Sequence, residues 1–314
     1  VVMESPKKVI FLLVDGSAIV HRAYHAMPFF AKKDGASTGA IYGFFSMLLK
    51  VIQQLDPQYI VVAFDRPKPT FRQQLYVGYQ AQRPKMESDL SDQFGKIIEI
   101  LQKARISTYA VDGYEADDII GTVSEAANKK GIFTYIVTGD RDMLQLVDDD
   151  TQVFMPIKGI SEVSIMDAEK VREKYGIKPS QFIDYKALQG DPSDNYPGVA
   201  GIGPKTAANL INDYGSVENI YKNLDEIATK NKKLADRLTE GHEACMIAYK
   251  LATIVRDVPF VFDLKASRME EIQLDDFKEA LIKEEFHTLP RRVDEIFSKD
   301  GKVTDKGKGQ MKLL

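Results

Sequence analysis

The 314-residue chain predicts an α/β fold, a mostly parallel sheet flanked by helices and followed by an α-helical region. Three observations carry this. Continuous apolar runs rich in β-branched residues occur at 9–14 (VIFLLV), 59–64 (YIVVAF) and 132–138 (IFTYIVT), as expected of parallel strands buried on both faces. Helical periodicity separates them at 38–55, 90–104 and 116–131, the last closing on Lys-Lys-Gly, a C-terminal stop signal. After about residue 165 the strand-like runs give way to short capped helices, beginning with SIMDAEKVREKYG and KPSQFIDYKALQG and continuing to about 297.

A hydrophobic content of 44% over this length supports a sizeable core and two parts, an α/β part at 1–175 and a helical part at 176–297. Residues 298–314 are Lys- and Gly-rich without periodicity and read as a flexible tail or linker. No 20–50-residue repeat is present. The single cysteine, Cys245, excludes a disulfide framework and a thiolate metal site, and reads as a core residue. The run at 9–14 is too short to span a membrane, Asp15 ends it, and no signal-peptide pattern precedes it, so a cytoplasmic protein is expected. The net charge of −4 does not exclude a nucleic-acid partner, because distribution matters more than the sum.

Acidic residues recur at comparable places along the α/β pattern. FLLVDGSA puts Asp15 at the end of the first strand, VVAFDRP puts Asp65 at the end of the second, and YIVTGDRDMLQL puts Asp140 and Asp142 just past the third. GYEADDII opens a helix with Glu115, Asp117 and Asp118, and LQGDPSDNYPGV adds Asp191 and Asp194 on a turn. Taken singly, each has a plain structural reading: first-turn acids favour the helix macrodipole and a strand-end Asp caps the next helix. Together they fall where parallel α/β sheets bind ligands, outside the carboxyl ends of the strands. Two unit charges about 4 Å apart repel by roughly 4 kcal/mol at an effective dielectric near 20, so carboxylates sharing a cleft must take up protons or cations. No His or Cys stands at matching spacing, and an all-oxygen set suits Mg²⁺ or Mn²⁺ rather than Zn²⁺. Two such ions form the arrangement that activates water and stabilises the attacking and leaving oxygens of phosphoryl displacement. With nine ligands set aside, about 37 acids remain against 42 bases, so the remaining surface is mildly positive.

Two further segments point to phosphates. NYPGVAGIGPKTAANLI holds a Gly-rich hairpin (Gly198, Gly201, Gly203) and then a helix opening on Pro204-Lys205-Thr206. Glycines allow close backbone approach, and the free N–H groups of the helix start, beside Lys205, suit a phosphate. A dinucleotide loop is excluded by context, since no strand precedes the motif, whereas a ligand-free helix-turn-helix stays open. Backbone amides with one lysine would read phosphates and not bases. Residues 66–89 carry Arg66, Lys68, Arg72, Arg83 and Lys85 among Phe71, Tyr76 and Tyr79, a mixture suited to single-stranded nucleic acid. A solvated amphipathic helix is the simpler reading of that segment alone.

With these motifs in their order and spacing (LLVDGSAIVHRAYHAM, VVAFDRPKPTFR, GYEADDIIGT, TGDRDMLQL, GDPSDNYPGVAGIGPKTA) the chain resembles, from about residue 8 to 297, the 5′→3′ exonuclease domain of bacterial DNA polymerase I, of the flap endonuclease group. The resemblance implies a PIN/5′ nuclease-like fold. It implies a first metal set of Asp15, Asp65, Glu115, Asp117 and Asp118, and a second of Asp140, Asp142, Asp191 and Asp194. It makes the glycine hairpin a helix–three-turn–helix, with Gly201, Gly203, Lys205 and Thr206 at the DNA and main-chain carbonyls near Val199 and Ile202 holding K⁺. It makes 66–89 an arch through which a 5′ single strand passes, with Arg72, Tyr79, Gln80, Arg83 and Lys85 facing DNA, Arg83 at the reaction, and Arg22 on a phosphate. His21 and His25 lack the zinc-protease pattern and are read as structural.

One departure matters. The family's arch usually reads Tyr-Lys-x-x-Arg, and here it is YQAQR, with Gln80 in place of the lysine. That lysine is expected to stabilise charge at the scissile phosphate, and Gln brings none. The leading expectation is a metal-dependent 5′→3′ exonuclease and flap endonuclease of replication and repair, acting on DNA with a 5′ flap or 5′ end, as a monomer. A polymerase region, in the same or another chain, is a candidate partner. The alternatives are a DNA-structure-binding module with turnover weakened at Gln80, and a PIN-type ribonuclease, which the glycine hairpin and helical part disfavour.

Overall fold

The computed structural model describes residues 8–27, 30–84, 86–158 and 162–298. Lys85 and the tail beyond Ser298 lie outside them. Six strands form the main sheet: β1 (Ile10–Asp15), β2 (Tyr59–Ala63), β3 (Ser107–Tyr109), β4 (Phe133–Val137), β5 (Thr151–Lys158) and β6 (Glu162–Met166). Their order is β3-β2-β1-β4-β5-β6, with all neighbours parallel except the antiparallel β5–β6 pair.

β1 is the pivot. It pairs with β2 on one side (Leu13 opposite Val61) and β4 on the other (Leu13 opposite Ile136), so the chain reverses its winding there. The crevice outside the carboxyl ends of strands at such a switch point is the usual ligand site of open α/β sheets.

Both faces are covered, which is why the strands read as continuous apolar runs. Successive side chains of β1 alternate: Phe11 and Leu13 join one core, Leu12 and Val14 the other, all at most 2% exposed. Helices α1 (Gly16–Ala26), α2 (Gly39–Leu55), α3 (Phe71–Leu75), α4 (Ser88–Lys103) and α5 (Ala116–Asn128) belong to the α/β part, with α6 (Ala168–Tyr175) after the sheet. α1, α2 and α4 cover the face of Leu12. α5 covers the other, with Ile119, Ile120 and Val123 buried.

The helical part begins with α7 (Phe182–Gln189) and α8 (Pro204–Tyr214) and runs through four more helices to Ala252. It does not end apart from the sheet. The chain returns to β2, where the Ile60 N–H donates to Ser267 O at 2.8 Å. The helices Leu274–Lys283 and Thr288–Phe297 then pack on α2, with Phe277 against Phe45 at 5.5 Å between ring centroids. Among the described residues, no helix is long and apolar enough to cross a membrane.

Candidate active site

The carboxyl ends of β1, β2 and β4, the start of α5, the turn at 191–194 and the segment 66–84 enclose a cavity of about 840 Å³. Seven of the nine carboxylates singled out in the sequence line it: Asp15, Asp65, Glu115, Asp117, Asp140, Asp142 and Asp194.

Backbone N–H groups hold several of them. Asp15 caps α1, its Oδ1 accepting from Ala18 N–H at 2.9 Å, while Oδ2 accepts from the Thr138 hydroxyl at 2.7 Å. Asp65 Oδ1 accepts from Ala116 N–H at 2.8 Å, tying the end of β2 to the start of α5. Asp140 Oδ1 accepts from Asp142 N–H at 2.8 Å. The capping reading of these residues is thus true, and it serves the cleft: a cap fixes one carboxylate oxygen to backbone and leaves the group at the strand end.

Crowding shows in the titration of the groups. Burial, reinforced by Asp65, pushes the Asp15 carboxyl up to about 7. Burial likewise takes Glu115 to about 7 against the opposing pull of Arg72. Asp142 also rises to about 7, through burial and then Asp140, with Lys186 opposing. Burial holds Asp117 well above the usual carboxylate range, with Asp140, Asp15, Glu115 and Asp65 adding to it. Asp140 is raised by burial as well. Asp140, expected with the second metal set, also donates its N–H to the Thr138 hydroxyl that bonds Asp15.

The remaining carboxylates form a tighter group. Asp142, Asp191 and Asp194 are all buried, each offering an oxygen within 4.8 Å of the others. Asp191 accepts from Ser193 N–H at 2.8 Å and from the ammonium of Lys186, which also lies 2.6 Å from Asp142 Oδ1. Burial opposes ionisation of Asp191, but Lys186 and Ser193 outweigh it and hold the group below its ordinary value. Lys186 was not legible in the sequence: it is one lysine in a short helix, and only the fold brings Asp142 to it.

Two expected site residues are placed differently. Asp118 is fully buried and is absent from the cavity wall. Its two oxygens take a bidentate pair from Arg72 at 2.8 Å each, and also accept from Glu115 N–H (3.1 Å) and Val255 N–H (2.9 Å). Arg72, expected at DNA, is 2% exposed and further donates to Leu251 O and Thr253 O, both at 2.8 Å. The pair ties α3 and α5 to the helical part. With its oxygens so occupied, Asp118 is a structural anchor in this geometry and not an open ligand, and Arg72 is its partner.

The stretch 76–84 forms turns and not an amphipathic helix. After the five-residue α3 it turns back onto the cleft. Tyr79, buried and stacked on Tyr196, places its hydroxyl 3.1 Å from Glu115 and 3.2 Å from Asp194, between the two acidic groups. Arg83 donates to Asp194 at 2.6 Å and Gln80 Nε2 lies 3.4 Å from the same oxygen. Gln80 N–H donates to Asp194 O at 2.8 Å, and Asn195 Nδ2 to Gly78 O at 2.7 Å. Both Gln80 (φ 55°) and Asn195 (φ 56°) hold left-handed backbone, which costs Gln about 1–2 kcal/mol and which Asn adopts more readily. Arg66 and Lys68 pair with Asp112 on the surface. Arg22, which the resemblance puts on a phosphate, lines the cavity, and so does His21, read as structural from the sequence.

At the glycine hairpin the three glycines do different things. Gly201 needs its freedom, with φ 77°. A Cβ on Gly198 would lie 2.3 Å from Gly190 N, so its smallness serves a two-stranded ladder (Gly190–Asp191 with Tyr196–Pro197) rather than a ligand. Gly203, with open space around it, caps α8. That ladder is also a short strand ahead of the motif, where none was expected. Val199 and Ile202 are buried under the hairpin, Val199 O accepting from Ile202 N–H at 3.0 Å, and Lys205 is exposed at the start of α8.

A doubly covered sheet with an acidic cleft at its switch point and a glycine hairpin opening a helix defines an α/β nuclease class. The particular family follows from comparison: residues 10–176 match the 5′-3′ exonuclease N-terminal resolvase-like domain, and 177–275 match the 5′-3′ exonuclease C-terminal SAM fold. The chain belongs to the 5′-3′ exonuclease family, as the resemblance implied. It is 42% identical over 253 residues to DNA polymerase I of Bacillus caldotenax, covering 81% of this chain and 29% of that protein. It is 36% identical over 302 residues to DNA polymerase I of Mycobacterium leprae, covering 96% and 33%. The chain thus spans about a third of the length of these curated relatives. Among solved structures, T5 5′-exonuclease with bound divalent metal ions (zinc) superposes with a TM-score of 0.63 at 22% identity, covering 92% of this chain and 98% of that one. The catalytic core of Rad2 in complex with DNA substrate gives 0.55 at 18%, covering 93% of each. At these identities the superpositions show a shared fold.

Proposed function

We propose that this chain is a metal-dependent 5′ nuclease that hydrolyses a DNA phosphodiester at 5′ ends and flap junctions, in replication and repair in the cytoplasm. The observation that carries the reading is the convergence of seven carboxylates on one cavity wall, several of them held above their ordinary pKa by burial and by one another. An all-oxygen set of this density suits hard divalent cations.

Asp15, Asp65, Glu115 and Asp117 would hold one Mg²⁺ or Mn²⁺, and Asp142, Asp191 and Asp194 a second, with Asp140 between them. When bound, these ions supply charge neutralisation, a nucleophilic water and stabilisation of the leaving oxygen. Hydrolysis forms a bond from water oxygen to phosphorus and breaks the bond to the 3′ oxygen, leaving a 5′-phosphate and a 3′-hydroxyl. The chain's own groups position the strand. Arg22 and Arg83 face the cavity and suit phosphate oxygens. Lys205, Thr206 and the amides at the start of α8, with Gly201 and Gly203, offer a second phosphate contact on duplex DNA, with K⁺ near the Val199 and Ile202 carbonyls. Binding there is sequence-independent and weakens with salt.

A second reading rests on Gln80: with no charge at that position, the chain would bind branched DNA and turn over weakly. A 5′-labelled flap duplex, incubated with Mg²⁺ and with EDTA, separates the two. Metal-dependent cut products near the junction, lost in Asp117→Asn, support the nuclease. Tight binding without cleavage supports the second reading. Asp117 is the better control position, because Asp118 substitutions disturb the buried Arg72 pair.

A further inference from the structure

The two halves of the cleft differ in the cations they already contain. The half at the sheet edge has Arg72 3.2 Å from Glu115, and that guanidinium is largely committed to Asp118. In the other half Lys186, only 9% exposed on α7, reaches two of the three clustered carboxylates, Asp142 and Asp191. Arg83, at 2.6 Å, takes the third, Asp194. The 2.6 Å contact to Asp142 Oδ1 is off hydrogen-bond alignment, so this buried oxygen is left without a hydrogen bond. An ammonium buried this deeply is costly to desolvate and persists only among anions. Here its two carboxylate neighbours, Asp142 and Asp191, supply them.

We propose that Lys186 is a built-in counter-ion of the second cation position, holding Asp142 and Asp191 together before a divalent ion arrives and competing with that ion afterwards. Lys186 is a positioning residue: it acts through the carboxylates. The consequence is an order of filling, in which the sheet-edge position takes its ion tightly and the Lys186 position takes its ion at higher concentration. This rests on the metal-nuclease reading and adds to it the residue that sets the hierarchy.

Mn²⁺ titration of the full chain without DNA, followed by electron paramagnetic resonance and calorimetry, tests it. In the wild type two affinity classes are expected. In Lys186→Met the weaker class tightens about tenfold or more, since a charge within hydrogen-bond distance is removed, while the tighter class is unchanged. Lys186→Arg, which keeps the charge, retains the wild-type order. In EDTA, Lys186→Met melts below the wild type and regains the difference on Mn²⁺ addition. Should Lys186→Met fail to fold, Lys186→Gln gives the same reading with the packing and a donor retained. A weaker class that is unchanged or weakened further in the uncharged variants overturns the proposal. Absence of any divalent binding by the wild type sinks the nuclease reading itself.

Discussion

Asp117 and Asp118 are neighbours in one helical turn, and they belong to two different regions of the molecule. Asp117 is on the cavity wall among six other carboxylates, with its protonation favoured. Asp118 is inside the joint between α3, α5 and the helical part, paired bidentately with Arg72. The difference shows what a carboxylate is for here. In the cleft, carboxylates outnumber the side-chain cations that reach them, Lys186, Arg83 and Arg72, and several stay above their ordinary pKa. In the joint, an acid is matched by a guanidinium and by backbone N–H groups, so the fold holds without metal.

The sharpest way to break this contrast is to exchange the expected losses. Asp117→Asn should reduce metal-dependent cleavage by about a thousandfold, as loss of a main electrostatic contributor does, while leaving the metal-free protein at least as stable. Arg72→Met should do the opposite. It strands Asp118 in the interior, at about 3–5 kcal/mol of stability, in EDTA and Mg²⁺ alike; equal melting temperatures for wild type and variant would return Asp118 to the metal set.

The contrast also has a pH signature. Asp15, Glu115 and Asp142 carry folded-state values of about 7, above the ordinary range near 4 of an unfolded chain. The folded protein therefore binds more protons than the unfolded one between about pH 4 and 7, and stability falls as pH rises through that window. Thermal melts of the metal-free protein should be higher at pH 5 than at pH 7.5, and saturating Mg²⁺ should erase most of the difference at the upper pH. The smallest expected effect concerns the arch. Gln80→Lys should raise the single-turnover cleavage rate about tenfold at unchanged flap affinity; an unchanged rate would mean Arg83 already supplies the needed charge.

Much of the fold was legible because β1, β2 and β4 are buried on both faces and therefore mostly apolar. β3 was not, being only three residues (Ser107–Tyr109) of mixed polarity. Nor was the β5–β6 pair, which contains Pro156 and interleaves polar residues. The acidic site was legible from strand ends, since topology alone brings those ends to one edge. The Asp118–Arg72 pair was not legible because a paired acid and a metal-facing acid look alike in sequence; the distinguishing fact is a partner 46 residues away. Lys186 was missed for the same reason, its partner Asp142 lying on another element.

The central claim is that the cleft carboxylates converge and are neutralised by divalent ions. Melting temperature in EDTA and in Mg²⁺ at pH 7.5, for the wild type and for Asp117→Asn, tests it most directly. The account predicts a marked rise with Mg²⁺ in the wild type and a smaller one in the variant. A wild-type melting temperature indifferent to Mg²⁺ would contradict it.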